Sequence, residues 1–219
     1  MKYLIGIDEA GRGPLAGPVS VGAVLVERDF DFGRVAGIKD SKQLTPQLRD
    51  EWYARIETLR DEGVLRFAVA FSSAEMIDRR GIAPAIQSAL NRALRVCIAA
   101  EATVAKARPW QRSEECEVRL DGNLRAPTAF KMQRTIIRGD QSEPIISLAA
   151  IAAKVERDRL MTRMAKRYPL YHFEQHKGYG TREHRRLIRD HGFSELHRTT
   201  FCTNLLNRAA PANSQWLDT

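Results

Sequence analysis

The stretch KYLIGIDEAGRGPLAGPVSVGAVLV, residues 2–26, decides the fold. Lys2–Ile7 and Val19–Val26 are apolar and β-branched, while residues 11–18 between them hold too much Gly and Pro for either helix or strand. The segment therefore reads as strand, structured loop, strand. Asp8 and Glu9 follow directly on the first strand and precede Gly11. Adjacent residues of a regular strand point to opposite faces, so joint action by the two carboxylates requires the chain to turn at Glu9. Acids at such an edge repel one another and gain most from a cation between them, although an isolated Asp-Glu pair equally fits a solvated turn.

Working outward, Thr45 suits an N-cap and Pro46 a first turn, which predicts a helix over Pro46–Arg60 with Gly63 after its end. A strand follows at Val64–Phe71. Ile86, Leu90, Ala93, Leu94 and Cys97 recur at helical spacing and predict a long core-packed helix over Ile82–Lys106. Beyond a polar break at Pro109–Glu115, Val118–Leu120 and Thr135–Arg138 read as short buried strands, each ending at an aspartate, Asp121 and Asp140. An Asp next to Gly is also an ordinary turn residue. Pro144 to about Lys166 predicts a helix whose Ala-rich first half packs closely. Tyr168–Gly180 is irregular and aromatic, Thr181 can cap a helix that Gly192 stops after His191, and Ser194 can cap a further short turn.

Strands with hairpin-like spacing, then strands alternating with helices, imply an α/β fold with a mixed five-stranded sheet flanked by helices. One catalytic domain over residues 1–208 is expected, with a helical C-terminal segment at about 168–208 and a flexible tail at 209–219.

Composition narrows the function. The apolar run Ile145–Ala153 ends at Lys154 and falls well short of the ~20 residues of a membrane span. The first strand meets Asp8 too soon for a secretory signal, so a cytoplasmic protein without membrane contact is expected. Cys97, Cys116 and Cys202 are too widely spaced for a zinc or redox pair and read as inert thiols. The net charge is +8, and residues 154–200 carry 12 Lys and Arg against 6 Asp and Glu, together with all five histidines. That surplus suits a polyanion, and it suits a solvated basic helix face as well. His172 and His176 lie in a loop without a third ligand, which favours structural or phosphate-facing roles over metal binding.

The ordered series Gly6-Ile7-Asp8-Glu9-Ala10-Gly11-Arg12-Gly13-Pro14, Asp40-Ser41-Lys42, Asp121-Gly122-Asn123, Gly139-Asp140, Lys154-Val155-x-Arg157-Asp158 and His176-Lys177-Gly178-Tyr179-Gly180-Thr181 resembles the signatures of bacterial ribonuclease HII. It departs from them at Arg138, where a lysine is common, and in Gln141-Ser142-Glu143-Pro144. The resemblance implies a ribonuclease H-like fold. It also implies cleavage 5′ of a ribonucleotide, in RNA–DNA hybrid or at a single ribonucleotide in duplex DNA, leaving 3′-hydroxyl and 5′-phosphate. Asp8, Glu9, Asp121 and Asp140 would hold two Mg²⁺ or Mn²⁺ ions, one lowering the pKa of the attacking water and the other stabilising the leaving oxygen.

Glycine lets backbone approach a sugar closely, so the Gly11-Arg12-Gly13 loop suits a reader of the 2′-hydroxyl as well as a tight structural turn, and Tyr179 suits stacking on the following sugar or base as well as loop packing; the resemblance implies the reading role for the loop and a junction-sensing role for Tyr179. Lys42, Lys177, Arg182, Arg185 and Arg186 are candidate phosphate contacts, and Ser147 and Lys154, seven apart on one helix, candidate supports of the site. A monomer is expected, with replication or repair proteins as possible partners. Two rivals are a non-catalytic nucleic-acid binder, which would not need the four acids, and a DNA-only nuclease, which would not need a ribose reader. The type III ribonuclease H usually carries a further N-terminal domain, and none is expected ahead of the strand read from Tyr3.

Overall fold

The computed structural model describes residues 1–38, 44–99, 110 and 112–206. Lys42 and its neighbours Asp40 and Ser41, the predicted helix beyond Ala99 and the tail at 209–219 lie outside them.

Among the described residues the main elements are β1 (Tyr3–Ala10), β2 (Val19–Glu27), α1 (Pro46–Asp61), β3 (Leu65–Ser72), α2 (Ala74–Arg80), α3 (Ile82–Ile98), β4 (Cys116–Asp121), β5 (Met132–Ile136), α4 (Gly139–Ser142), α5 (Pro144–Arg167), α6 (Phe173–His176), α7 (Arg182–His191) and α8 (Thr203–Leu206). The five strands form one mixed sheet in the order β3-β2-β1-β4-β5. β1 pairs antiparallel with β2 and parallel with β4, and β5 extends the parallel half at the edge.

Strand alternation sorts the core into two layers. Ile5 and Ile7 of β1, Val21 and Ala23 of β2 and Val118 and Leu120 of β4 pack against Ala89, Leu90, Ala93 and Leu94 of α3. Leu4 and Val24 face the other way, toward Ile56 and Leu59 of α1 and Ile145, Leu148 and Ala149 of α5. Each fully buried Val, Leu or Ile among them contributes roughly 1.5–3 kcal/mol relative to exposure. A Cβ on Gly6 or Gly22 would overlap the backbone of α5, so both glycines let that helix lie directly on the strands. A third cluster of Ala16, Met161, Tyr171, Phe173 and Leu187 fastens the C-terminal helices onto the glycine-rich loop.

Local signals work as expected where they are strong. The Thr45 hydroxyl accepts from Leu48 N, the Thr181 hydroxyl from His184 N, and Gly192 ends α7 with φ 75°. Three expectations need correction. α3 stops at Ile98, where Ala99 turns extended (φ −61°, ψ 125°). β5 is a largely exposed edge strand over Met132–Ile136, not a buried one running to Asp140. Asp140 itself lies in α4, because Arg138 adopts a left-handed conformation (φ 54°, ψ 41°) that turns the chain out of the strand.

Candidate active site

Parallel pairing of Ile7 with Leu120 brings Asp8 and Asp121, the next residue on each strand, side by side on the α5 face. One carboxylate oxygen of Asp121 accepts from Gly139 N at 2.7 Å and from Asp140 N at 3.4 Å, which pins the start of α4 against β4. From the other side, the Ser147 hydroxyl donates to the Asp140 carbonyl at 2.8 Å. Asp8, Asp121 and Asp140 thereby offer carboxylate oxygens within 4.8 Å of one another, Asp8 and Asp140 being buried. Burial pushes the Asp8 carboxyl well above its usual 3.8, and the charges of Glu9, Asp121 and Asp140 push the same way, against a lowering bond from Glu9 N. A set of hard oxygen donors with this much mutual repulsion suits a small divalent cation.

Glu9 stands apart from these three. β1 continues regularly through Ala10, so the chain does not turn at Glu9 as joint action with Asp8 requires. Glu9 keeps its strand register opposite Val21 on β2 and lies outside the group of three, yet its charge is the largest of those that raise Asp8. Glu9 still lines the cleft, and it pairs with Arg12 at 3.1 Å.

The remaining walls of the cleft include Gly11, Arg12, Gly13, Arg49, Lys154 and Tyr179. The glycine-rich loop and the Tyr179 loop are sewn together, since Gly178 O accepts from Leu15 N at 2.9 Å and Ala16 N at 3.2 Å. Tyr179 is 39% exposed, and Lys154 Nζ, 2.8 Å from Asp158, sits 5.2 Å from its ring centre. Two fully buried arginines lie beneath. Arg157 donates to the carbonyls of Pro18, Ala16 and Lys177, and Arg198 to those of Gly17, Arg12 and Gly11. Burial lowers both guanidiniums, Arg198 to about 9 with the Arg157 charge assisting. Sequence reasoning missed this pair because a basic segment reads as surface. The available signal was the setting of Arg198 in Leu196-His197-Arg198, beside apolar and aromatic residues.

The candidate phosphate contacts are dispersed. Lys177 Nζ donates to Thr162 Oγ1 at 3.0 Å on a neighbouring groove, Arg182 is exposed at the start of α7, Arg185 donates to Gly180 O at 2.9 Å, and Arg186 pairs with Asp190 at 2.7 Å. None of Lys177, Arg182, Arg185 and Arg186 lines the carboxylate cleft.

Three of the five histidines are built into the interior. His172 pairs with Glu183 at 2.8 Å, while His176, His184 and His197 are buried and form one directed network. His176 Nε2 donates to Tyr171 O and its Nδ1 accepts from Gly178 N; His184 Nδ1 donates to Tyr179 O; His197 Nδ1 accepts from Ser194 N, which leaves its Nε2–H to donate to His184 Nε2 at 3.1 Å. Every ring is neutral in that scheme, and an added proton would set donor against donor. Burial accordingly pushes His184 and His197 down to about 4 from an ordinary 6.5. Their unfolded forms bind protons first, so the stability they contribute is complete above about pH 6.5 and is lost as pH falls toward 4. The melting temperature is expected to drop by about 5 °C or more between pH 7 and 5, and a flat profile would contradict the network.

A family model described as Ribonuclease HII matches residues 5–204. Ribonuclease HII of Chlorobium luteolum is 44% identical over 198 residues, covering 90% of this chain and 86% of the relative. Ribonuclease HII of Caldicellulosiruptor saccharolyticus is 37% identical over 206 residues, covering 94% and 89%. Among solved structures, the ribonuclease H2 of Pyrococcus horikoshii aligns with TM-score 0.64 at 25% identity, over 94% of this chain and 98% of that one.

Proposed function

The chain belongs to the ribonuclease HII family, is a metal-dependent endoribonuclease with the ribonuclease H-like fold, and on that premise we propose that it cuts the phosphodiester 5′ of a ribonucleotide, in RNA–DNA hybrid and at single ribonucleotides in duplex DNA. The products are a 3′-hydroxyl and a 5′-phosphate. The observation that carries this reading is one cleft bounded by the Asp8 and Asp121 carboxylates on one side and by the Gly11-Arg12-Gly13 backbone and Tyr179 on the other. Cutting groups and ribose-reading groups are neighbours.

Asp8, Asp121 and Asp140 are the proposed holders of two Mg²⁺ or Mn²⁺ ions, with Glu9 at the rim completing the set as the scissile phosphate enters. When bound, such ions supply an activated water and charge stabilisation at the leaving oxygen. Ser147 fixes the Asp140 backbone, and Lys154 brings a cation to the Tyr179 edge of the cleft. The backbone of Gly11 to Gly13 reads the 2′-hydroxyl, and the exposed Tyr179 ring stacks on the sugar or base that follows. Lys42, Lys177 and Arg182 contact phosphates further along the duplex. Among the described residues no helix is long and apolar enough to cross a membrane.

The direct experiment is incubation with a DNA duplex containing one ribonucleotide, with and without Mg²⁺ or Mn²⁺. Metal-dependent nicking on the 5′ side of the ribose is expected, and equal nicking of all-DNA duplex would sink the reading. Tyr179→Ala should lower turnover of that duplex by about tenfold, the loss of one stacked base, and harm a long hybrid less. Equal losses on the two substrates, compared by kcat/KM, would remove Tyr179 from its role at the junction.

A further inference from the structure

We propose that Arg198 is a positioning residue for ribose recognition: by drawing the Gly11 and Arg12 carbonyls inward, it turns the Arg12 and Gly13 amide N–H groups into the cleft. The proposal rests on the functional reading above and adds the device that sets the reading loop.

The geometry begins with the planar trans peptide, in which the C=O of one residue and the N–H of the next point in opposite directions. Arg198 Nη2 donates to Gly11 O at 2.7 Å, and Nη1 to Arg12 O at 2.9 Å. Both carbonyls thus face the buried guanidinium, and the two following N–H groups face away from it, toward the cleft that Gly11, Arg12 and Gly13 line. Among the described residues, neither N–H has an acceptor within the protein. They are free to donate to a ligand oxygen.

The rest of the clamp keeps the fork in place. Arg198 Nε donates to Gly17 O at 2.9 Å and Arg198 N to Leu15 O at 2.8 Å, so one residue spans the loop from Gly11 to Gly17. Among the described residues Arg198 has no carboxylate partner, and its buried charge is satisfied by backbone oxygens alone. A buried charge without a counter-ion is costly, which argues against Arg198 as mere filler. The planar fork matters as well, because a lysine ammonium is a point charge that cannot hold two divergent carbonyls at fixed angles. Asp78 on α2 secures the segment from behind, accepting from the N–H and hydroxyl groups of both Thr199 and Thr200.

The test compares wild type with Arg198→Lys on three readouts: kcat/KM on a duplex with one ribonucleotide, competition by the same duplex made wholly of DNA, and the Mn²⁺ concentration for half-maximal rate. The expected result is a fall of about tenfold or more in kcat/KM, with competition and the Mn²⁺ midpoint within about twofold of wild type. Unchanged kcat/KM, or equal damage to all three, overturns the proposal. If Arg198→Lys does not fold, Asp78→Ala decides: kcat/KM falls at least about threefold with the other two constant, or the positioning role is wrong. A wild-type enzyme that ignores the ribonucleotide altogether would instead refute the functional reading on which this rests.

Discussion

Asp8→Asn is expected to reduce turnover by at least about a thousandfold and, in the same protein, to raise the melting temperature measured in chelator. The first effect follows from removing one of the three carboxylates that converge within 4.8 Å of one another. The second follows from repulsion. Asp8 is buried among like charges that push its pKa upward, so its ionised form destabilises the metal-free fold. Its favourable contribution is complete below the ordinary value of 3.8 and is lost as pH rises through the elevated one, a loss opposite in sign to the gain from the histidine network and absent from the asparagine variant. Saturating Mg²⁺ or Mn²⁺ should reverse the ranking, because a ligand at about 100 times its dissociation constant stabilises by roughly 2.7 kcal/mol, equivalent to about 5–10 °C here. Calorimetry in chelator and in Mn²⁺ settles the matter, and a variant less stable than wild type in chelator would show that the cluster is not under electrostatic strain.

The second large effect is on folding. Gly22→Ala should destabilise by about 3 kcal/mol or more, enough to leave little folded protein, whereas Gly13→Ala should leave stability nearly unchanged. A Cβ on Gly22 would overlap the Ala149 carbonyl oxygen, with the carbonyl carbon at 3.1 Å and Ala153 N at 3.2 Å, all backbone atoms of α5 that no rotamer change can move. At Gly13 a Cβ meets nothing within 4 Å. The helix cannot retreat cheaply, since Ile145, Leu148, Ile151 and Ala152 are fully buried beneath it. Moving it would also shift Ser147, Lys154 and Arg157 from the site they support. Equal urea midpoints for Gly22→Ala and wild type would refute this account of how α5 is seated.

The same contrasts explain what the sequence could and could not reveal. Thr45-Pro46 and Thr181 mark helix starts because capping is local chemistry, and the apolar Lys2–Ile7 and Val19–Val26 runs mark strands for the same reason. Convergence of Asp8, Asp121 and Asp140 needs the parallel Ile7–Leu120 register, which no spacing encodes. Asp140 looked like a strand end because Arg138 carries no glycine-like signal for its left-handed turn. α2 has only seven residues, too few for periodicity to show, and Ser73 with Gly81 at its ends is the signal that was there. Glu9 shares the cleft with Asp8, but the turn that joint action was expected to need is absent, because β1 runs on regularly to Ala10. Arg157 and Arg198 were invisible as interior groups because charge predicts exposure unless the acceptors are known, and here the acceptors are carbonyls that any residue supplies.

The Gly11 and Arg12 carbonyls find their partner in a side chain 186 and 187 residues later. During synthesis on the ribosome, the sheet that carries Asp8 and Asp121 can assemble well before residue 198 leaves the exit tunnel. The acids of β1 and β4 are thus synthesised long before the side chain that holds the Gly11 and Arg12 carbonyls, so the cutting groups and the proposed reading loop are completed at different stages of chain growth.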